Sequence, residues 1–482
     1  MKPCWILKDE VGDYKHEEEI LRRWGRGQGF NGCVVYNDLG YLEICTPSYG
    51  SSLDSIIYDK ASEVFAWLGA KSAGEYFLTS RFKPPKKVVC YKSNISISPL
   101  GRWVSYATHG NFLVRRRACN LKRWKEVEKA LVPYMVTRIL FTGAGGFVGG
   151  ELAGFPAPKF VISPRAMFLR RISSHDTMFE RGLLNTRDEP HADPAKYWRL
   201  HDINFEGLRN EYSIFLRDSL QSLVISALER GLLSDAPKIS DPLLAIRDLS
   251  KDTQACEWKV KLKGGKKADA LEIFGFYLGK IEQMLSDSAS EKDKLAFGII
   301  KGTHEKLRQR SLECLVDGLD WVTKKELLEI EQPRSGEEAL ALMNQYSMID
   351  ETTLFYLGKK VNFKASSCYF DPRESLTFVR DAIPRVNWAE LQKKISLAML
   401  NPPPNTRDYF KCKVLRKFKH EVKQVSWGKI GFKNFIFNLA EPFMLSKEES
   451  EELIKGADDL RKLALEVKKI YPKAVRGSGY EI

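Results

Sequence analysis

Apolar and polar positions alternate in short blocks over the first hundred residues and take up helical spacing further on. Val34-Val35-Tyr36 and Leu42-Glu43-Ile44 flank the Asn37-Asp38-Leu39-Gly40 punctuation, a pattern that predicts strand, turn and strand. Apolar side chains at helical intervals from Leu53 to Leu68 predict an amphipathic helix, and Val88-Val89-Cys90-Tyr91 another strand. Between 131 and 165, apolar segments surround the glycine-rich run Thr142 to Gly150. The clearest long helix spans 209–232, with further helices at about 267–285, 288–309 and 335–345. Asn401-Pro402-Pro403-Pro404 interrupts regular structure, because proline removes backbone donors and constrains its neighbour. Beyond it come a strand-like stretch, Phe432 to Leu439, and a charged helix after Ser446. At 482 residues, the chain fits either an extended α+β body with a smaller attachment or two domains.

Composition narrows the class of protein. An apolar fraction of 43% and a charged fraction of 29% are those of an ordinary folded chain. No apolar run is long enough to cross a bilayer, and Met1 to Asp9 lacks the character of a signal peptide, so a cytoplasmic protein is expected. Nine scattered cysteines without a CxxC pair fit a reducing compartment and argue against a structural zinc site. The formal charge of +14 selects anionic partners: ATP phosphates or an acidic protein are served as well as nucleic acid. No zinc-finger spacing or RNA-binding motif accompanies it, and nucleic acid is not expected.

Several positions could carry chemistry on anionic substrates. Asp38 and Glu43 flank the predicted turn and could offer carboxylate oxygens to a divalent metal. Only seven histidines occur, and two of them, His191 and His201, fall in the polar stretch 185–204 with Arg187, Asp188, Glu189, Asp193 and Arg199. His109 and Asn111 form a second candidate, either a satisfied pair at a strand end or a phosphate contact. Arg407 could clamp a phosphate and Trp427 stack on a base, although a lone tryptophan is more often core. The glycine-rich run lacks the Gly-Lys-Ser/Thr of a phosphate loop and the dinucleotide fingerprint. It reads as a loop at the edge of a site or as a direct substrate contact.

The run Asn185-Thr186-Arg187-Asp188-Glu189-Pro190-His191-Ala192-Asp193, continued by Lys196-Tyr197 and Arg199-Leu200-His201, resembles the signature of the Pup ligase/depupylase family. Matches recur in the same order along the chain. They include Asn31-Gly32 with Tyr36 and Asp38, Lys92-Ser93-Asn94, Ser105-Tyr106 through Asn111-Phe112, Asp320-Trp321, and Asn401-Pro402-Pro403 with Thr406-Arg407. The stretch Leu53 to Ala61 is closest to the depupylase branch. The long loop of that branch is missing, since only about eighteen residues separate Gly12 from Asn31. The resemblance implies a glutamine-synthetase-like α+β fold: a curved antiparallel sheet cradle backed by helices over 1–395, and a small C-terminal domain over 396–482 that contributes to the nucleotide site. It implies ATP and Mg2+ as cofactors. Asp38 would act as nucleophile or base, with His109 and Arg187 beside it. Lys92, Asn94, Asn111, Arg187, His191, His201, Arg407 and Trp427 would lie on the nucleotide side, and Asp9, Glu10, Tyr36 and Glu43 on the metal side. The implied partner is an acidic, disordered, Pup-like modifier or its conjugates, met by a monomer or homodimer away from any membrane.

Four positions depart from the family pattern. Lys8 stands for a glutamate, Gly110 for another, and Leu39 and Tyr41 replace histidines. Three readings follow: an ATP-dependent amide or isopeptide hydrolase, a carboxylate–amine ligase, and a non-catalytic nucleotide-binding homologue.

Overall fold

The computed structural model describes residues 5–7, 26–38, 41–79, 88–97, 101–150, 154–286, 290–384 and 386–477. Lys8, Asp9 and Glu10 lie outside them. Strands Trp5–Leu7, Arg26–Gly29, Val34–Asp38 and Tyr41–Cys45 pair antiparallel in chain order as one four-stranded sheet. A second sheet is ordered Arg171–Ser174, Gly182–Asn185, Tyr197–Phe205, Thr108–Arg115. Its first pair is parallel and the rest antiparallel, so the fold is α+β with mixed sheets rather than one wholly antiparallel cradle. Helices back these sheets. One of them, Glu211–Glu229, contributes Ile214, Leu216, Leu220, Val224 and Ala227 to the main core.

Tyr197–Phe205 is the strand on which the site depends. Because side chains alternate across a strand, Trp198, Leu200 and Asp202 share one face while Arg199 and His201 share the other. Burying Asp202 on the core face requires a counter-charge, and Arg138 supplies it with both terminal nitrogens, one at 2.9 Å. Arg138 also donates to Gln221 Oε1 at 2.9 Å and lies over the Phe205 ring, 4.1 Å from its centroid.

The helix expected over Leu53 to Leu68 runs further, from Ser52 to Thr79. It is packed on more than its apolar stripe, and Asp59, Lys60 and Glu63 are all buried. Lys60 bonds the Arg209 carbonyl and Glu63 (3.1 Å), and Lys92 reaches Asp59 and Glu63 (3.0 Å). Pairing of this kind is the condition on which a charge can leave water. From Gly146 onward the glycine-rich run is a strand rather than a loop. Gly146–Gly150 pairs with Phe155–Val161 as a hairpin, and at Gly145 (φ +65°) a Cβ would stand 2.8 Å from Trp321 Cα. A separate apolar cluster runs from Phe410 to Val475, built on helix Arg407–Lys417 and a four-stranded sheet that includes Phe435–Asn438. Ser446 and Glu449 cap the charged helix Lys447–Gly456 reciprocally.

Arg138→Ala leaves Asp202 charged and unpaired in the core. The expected loss is about 3–5 kcal/mol of stability, read as a lowered urea midpoint; a wild-type midpoint would contradict the assignment.

Candidate functional site

Three groups of side chains form the site. The first is one face of the hairpin Val34–Asp38/Tyr41–Cys45. Its register pairs Tyr36 with Glu43 and Asp38 with Tyr41, which places Tyr36, Asp38, Tyr41, Glu43 and Cys45 on the same face without a bulge. The Tyr36 hydroxyl donates to Glu43, and Cys45 Sγ lies 3.4 Å from the same carboxylate. Burial holds the Glu43 carboxyl above its usual range, and the neighbouring Asp38 carboxylate pushes it the same way. Burial also raises the Tyr36 hydroxyl and the Cys45 thiol, so both remain protonated donors.

The second group lies on the site face of the central sheet. His201 pairs in register with Asn111 on one side and Asn185 on the other. His109 meets His201 edge-on, with ring centroids 5.2 Å apart. Arg199 donates to Asn111 Oδ1 and Glu189 Oε2, each at 3.1 Å. Arg187 is held through its backbone N–H, which donates to Asn185 Oδ1 at 2.9 Å. Buried donor atoms here have no protein partner: Asn185 Nδ2, Arg187 Nε and Arg199 Nε, together with His201 Nδ1. Unpaired buried polar atoms are costly, and a cluster of them on one sheet face fits a polar ligand. The local field is positive. Burial and then Arg199, His109, Arg187 and His191 push His201 down to about 2, and burial with Arg165 and Arg181 outweighs Asp202 to bring His109 to about 4. A positive, donor-lined face suits a polyanion such as a nucleotide.

The third group joins the signature run to the C-terminal part of the chain. The His191 and Trp427 rings lie 5.4 Å apart at 39°. Arg407 donates to the carbonyls of Leu439 (2.6 Å) and His191 (2.5 Å), and Asp193 N–H to that of Ala440 (3.0 Å). Lys196 and Tyr197 both bond Glu441. Asp188 is gripped by Arg116 at 2.9 and 3.2 Å, which fixes the start of the run.

The structure thus gathers Tyr36, Asp38 and Glu43 in one cluster, His109, Asn111, Arg187 and His201 in a second, and His191, Arg407 and Trp427 in a third. Lys92 and Asn94 are placed differently. The Lys92 ammonium is committed to Asp59 and Glu63, and the Asn94 amide both donates to and accepts from the Gly207 backbone, at 2.9 and 2.6 Å. In this structure both are engaged in pairing and packing within the protein.

Gly110 needs the same correction. It lies opposite Asp202, on the face away from His109 and Asn111, and a Cβ would stand 2.7 Å from the Phe112 ring. The missing glutamate therefore removes no carboxylate from the His109–Asn111 face. Among the described residues, no three His, Cys, Asp or Glu side chains converge as a metal site. Asp38 and Glu43 supply two carboxylates and Tyr36 a protonated hydroxyl, which is a partial oxygen set for Mg2+.

Arg165, Arg181 and the Tyr41–Tyr106 contact carry no sequence signal of their own. The two tyrosine hydroxyls are 2.7 Å apart and tie the hairpin tip to the segment entering strand Thr108–Arg115.

Residues 12–365 match the Pup-ligase protein family model. The chain belongs to this family. It is 27% identical over 433 residues to the depupylase of Acidothermus cellulolyticus, covering 88% of this chain and 78% of that one. It is 29% identical over 432 residues to the Pup–protein ligase of Acidimicrobium ferrooxidans, covering 88% and 87%. The structure of Pup ligase PafA in complex with ADP superposes with a TM-score of 0.72 at 23% identity, covering 94% of this chain and 97% of that one. The complex of Pup with its ligase gives the same TM-score at 22% identity. Family membership and fold are thereby fixed. No helix among the described residues is long and apolar enough to cross a membrane.

Two predictions follow from this geometry. The buried His201 imidazole is neutral in the fold, whereas the unfolded chain takes up a proton there below about 6.5. Its share of stability is whole above that pH and is lost progressively as pH falls below it. His201→Asn should therefore flatten the decline in urea-unfolding free energy between pH 6.5 and pH 4. Gly110→Glu, which restores the family residue, forces a side chain into the Phe112–Phe205 pair and is expected to cost about 1–3 kcal/mol, seen as a lower melting temperature.

Proposed function

We propose that this protein is an ATP- and Mg2+-dependent hydrolase of an amide or isopeptide bond, acting on a Pup-like modifier or its conjugates. The observation that carries the reading is the donor-lined, positively charged sheet face beside a hairpin that presents Asp38 and Glu43 together. Family membership and likeness to the depupylases support it, and likeness to a ligase solved with ADP supports a nucleotide in the site.

Arg187, Arg199, Asn185 and His201 would hold the phosphates, since Asn185, Arg199 and His201 share one face of the sheet and each of the four keeps a buried nitrogen without a protein partner. His191 and Trp427 would hold the base, and Glu43 with Tyr36 would help hold the metal ion, leaving the Asp38 carboxylate on the same hairpin face for the reaction. A bound nucleotide would supply its γ-phosphoryl group to the reaction. The chain's own residues do the rest. Asp38, exposed on the hairpin face, would either add to the amide carbonyl and expel the protonated amine, leaving an acyl-aspartyl linkage that water then hydrolyses, or take the proton of a water that attacks the carbonyl directly. His109, held neutral at pH 7, would relay a proton by taking it at one ring nitrogen and releasing the proton of the other, so that its charge returns to zero. The arginines stabilise negative charge as it develops and need no reorientation to do so. The acidic modifier would approach a chain of formal charge +14 under long-range attraction.

A ligase reading keeps the same nucleotide side and reverses the amide chemistry. The short span between Gly12 and Asn31 and the 29% identity to a Pup–protein ligase favour it. Incubation of the protein with ATP, Mg2+ and a Pup-conjugated substrate separates the two: release of free modifier supports hydrolysis, whereas consumption of free modifier into conjugates supports ligation. Neither outcome with bound ATP would support the non-catalytic reading. Asp38→Asn is expected to abolish turnover and leave ATP affinity within about twofold, while Arg199→Ala weakens ATP binding by at least tenfold, roughly the worth of one charge-assisted hydrogen bond; calorimetric titration reads both.

A further inference from the structure

We infer that Arg407 is a positioning residue: it sets the His191–Trp427 pair by grasping main-chain carbonyls, and is not a phosphate ligand. The consequence for nucleotide affinity rests on the function proposed above; the clasp itself does not.

Arg407 opens helix Arg407–Lys417, and its side chain is almost wholly buried. Its backbone N–H donates to the Pro442 carbonyl at 2.9 Å. Its guanidinium spans two chain segments far apart in sequence, with Nη1 on Leu439 O and Nη2 on His191 O, and only Nε is left without a protein partner. Four residues on, Lys411 occupies the same helix face and donates to the Trp427 carbonyl at 3.1 Å. The carbonyls of both aromatic partners are therefore held from a single helix face, one turn apart. Carbonyl dipoles receive the buried Arg407 charge. The adjacent Asp408 carboxylate is taken by Lys411 at 2.7 Å and by the Ser48 N–H, also at 2.7 Å.

Two further features fit this arrangement. His191 has φ +51°, a left-handed conformation that costs a non-glycine residue and persists where neighbours fix it. A hydrogen bond to its carbonyl from a rigid fork is a restraint of that kind. Gly428 follows Trp427 and packs against the clasp: a Cβ there would stand 3.1 Å from Arg407 Nη1, 3.2 Å from Leu439 O and 3.4 Å from His191 O. Only the planar guanidinium presents two N–H groups to two acceptors in fixed directions, so lysine keeps the charge and loses the clasp.

The experiment uses the full chain as wild type, Arg407→Lys and Gly428→Ala. Affinities for ATP, ADP, AMP and adenosine are measured by calorimetry, and 5-fluorotryptophan labelling gives a 19F resonance for Trp427, assigned by its loss in Trp427→Phe. A positioning role predicts that both variants weaken all four ligands by a similar factor of about tenfold and shift the Trp427 resonance in the absence of nucleotide. A phosphate ligand predicts loss for ATP and ADP with adenosine unchanged; that pattern, or an unmoved Trp427 resonance, overturns the inference. Gly428→Ala perturbs the clasp without removing the arginine, so it decides the matter if Arg407→Lys does not fold. Failure of wild type to bind any of the four ligands would defeat the nucleotide reading, and the 19F arm would still decide on the clasp.

Discussion

The pairing of Asp202 with Arg138 beneath the central sheet is the constraint on which the rest of the site depends. A strand offers its residues alternately to two sides, and Tyr197–Phe205 uses both. Its core side includes one carboxylate that must be neutralised, and its other side carries Arg199 and His201. Once Arg138 locks the register, Asn111 and Asn185 fall on either side of His201, and the donors face one direction. A slip of a single residue would turn Arg199 and His201 into the core and Leu200 outward. The ion pair therefore specifies the site even though it touches no ligand.

Charge is buried on a similar principle elsewhere. Lys60, Glu63, Lys92, Asp59 and Arg209 form a network behind the sheets, where each cation meets a carboxylate or a carbonyl. Such networks contribute little net stability compared with apolar replacements, but breaking one member is costly. This explains why Lys92 looks like a ligand in sequence and behaves as a structural cation in space. The site face has the opposite balance, an excess of positive groups with few carboxylates among them, and that difference distinguishes a place meant for an anion from a place merely held together by ions.

Much of this was legible in the chain and some was not. The strand–turn–strand around Asp38, the long helix ending near Gly231 and the proline break at 402–404 declare themselves through local spacing and backbone restriction. The signature run carried the family, because its residues occur together and in order. Sequence could not tell which face Gly110 occupies, since that depends on pairing with Asp202, nearly a hundred positions away. Nor could it separate a carbonyl-binding arginine from a phosphate-binding one at Arg407, because both use the same guanidinium geometry. The glycine-rich run misleads for a related reason: glycine serves close packing against Trp321 as readily as it serves a ligand.

The hairpin that bears Asp38 is moored at its tip by two phenol hydroxyls, Tyr41 and Tyr106. An uncharged mooring is indifferent to counterions, whereas attraction between a basic protein and an acidic partner is screened within about 10 Å at moderate salt. Ionic strength would thus act on the encounter and leave the placement of the Asp38 carboxylate alone. The molecule separates capture, which the medium can tune, from alignment, which it cannot.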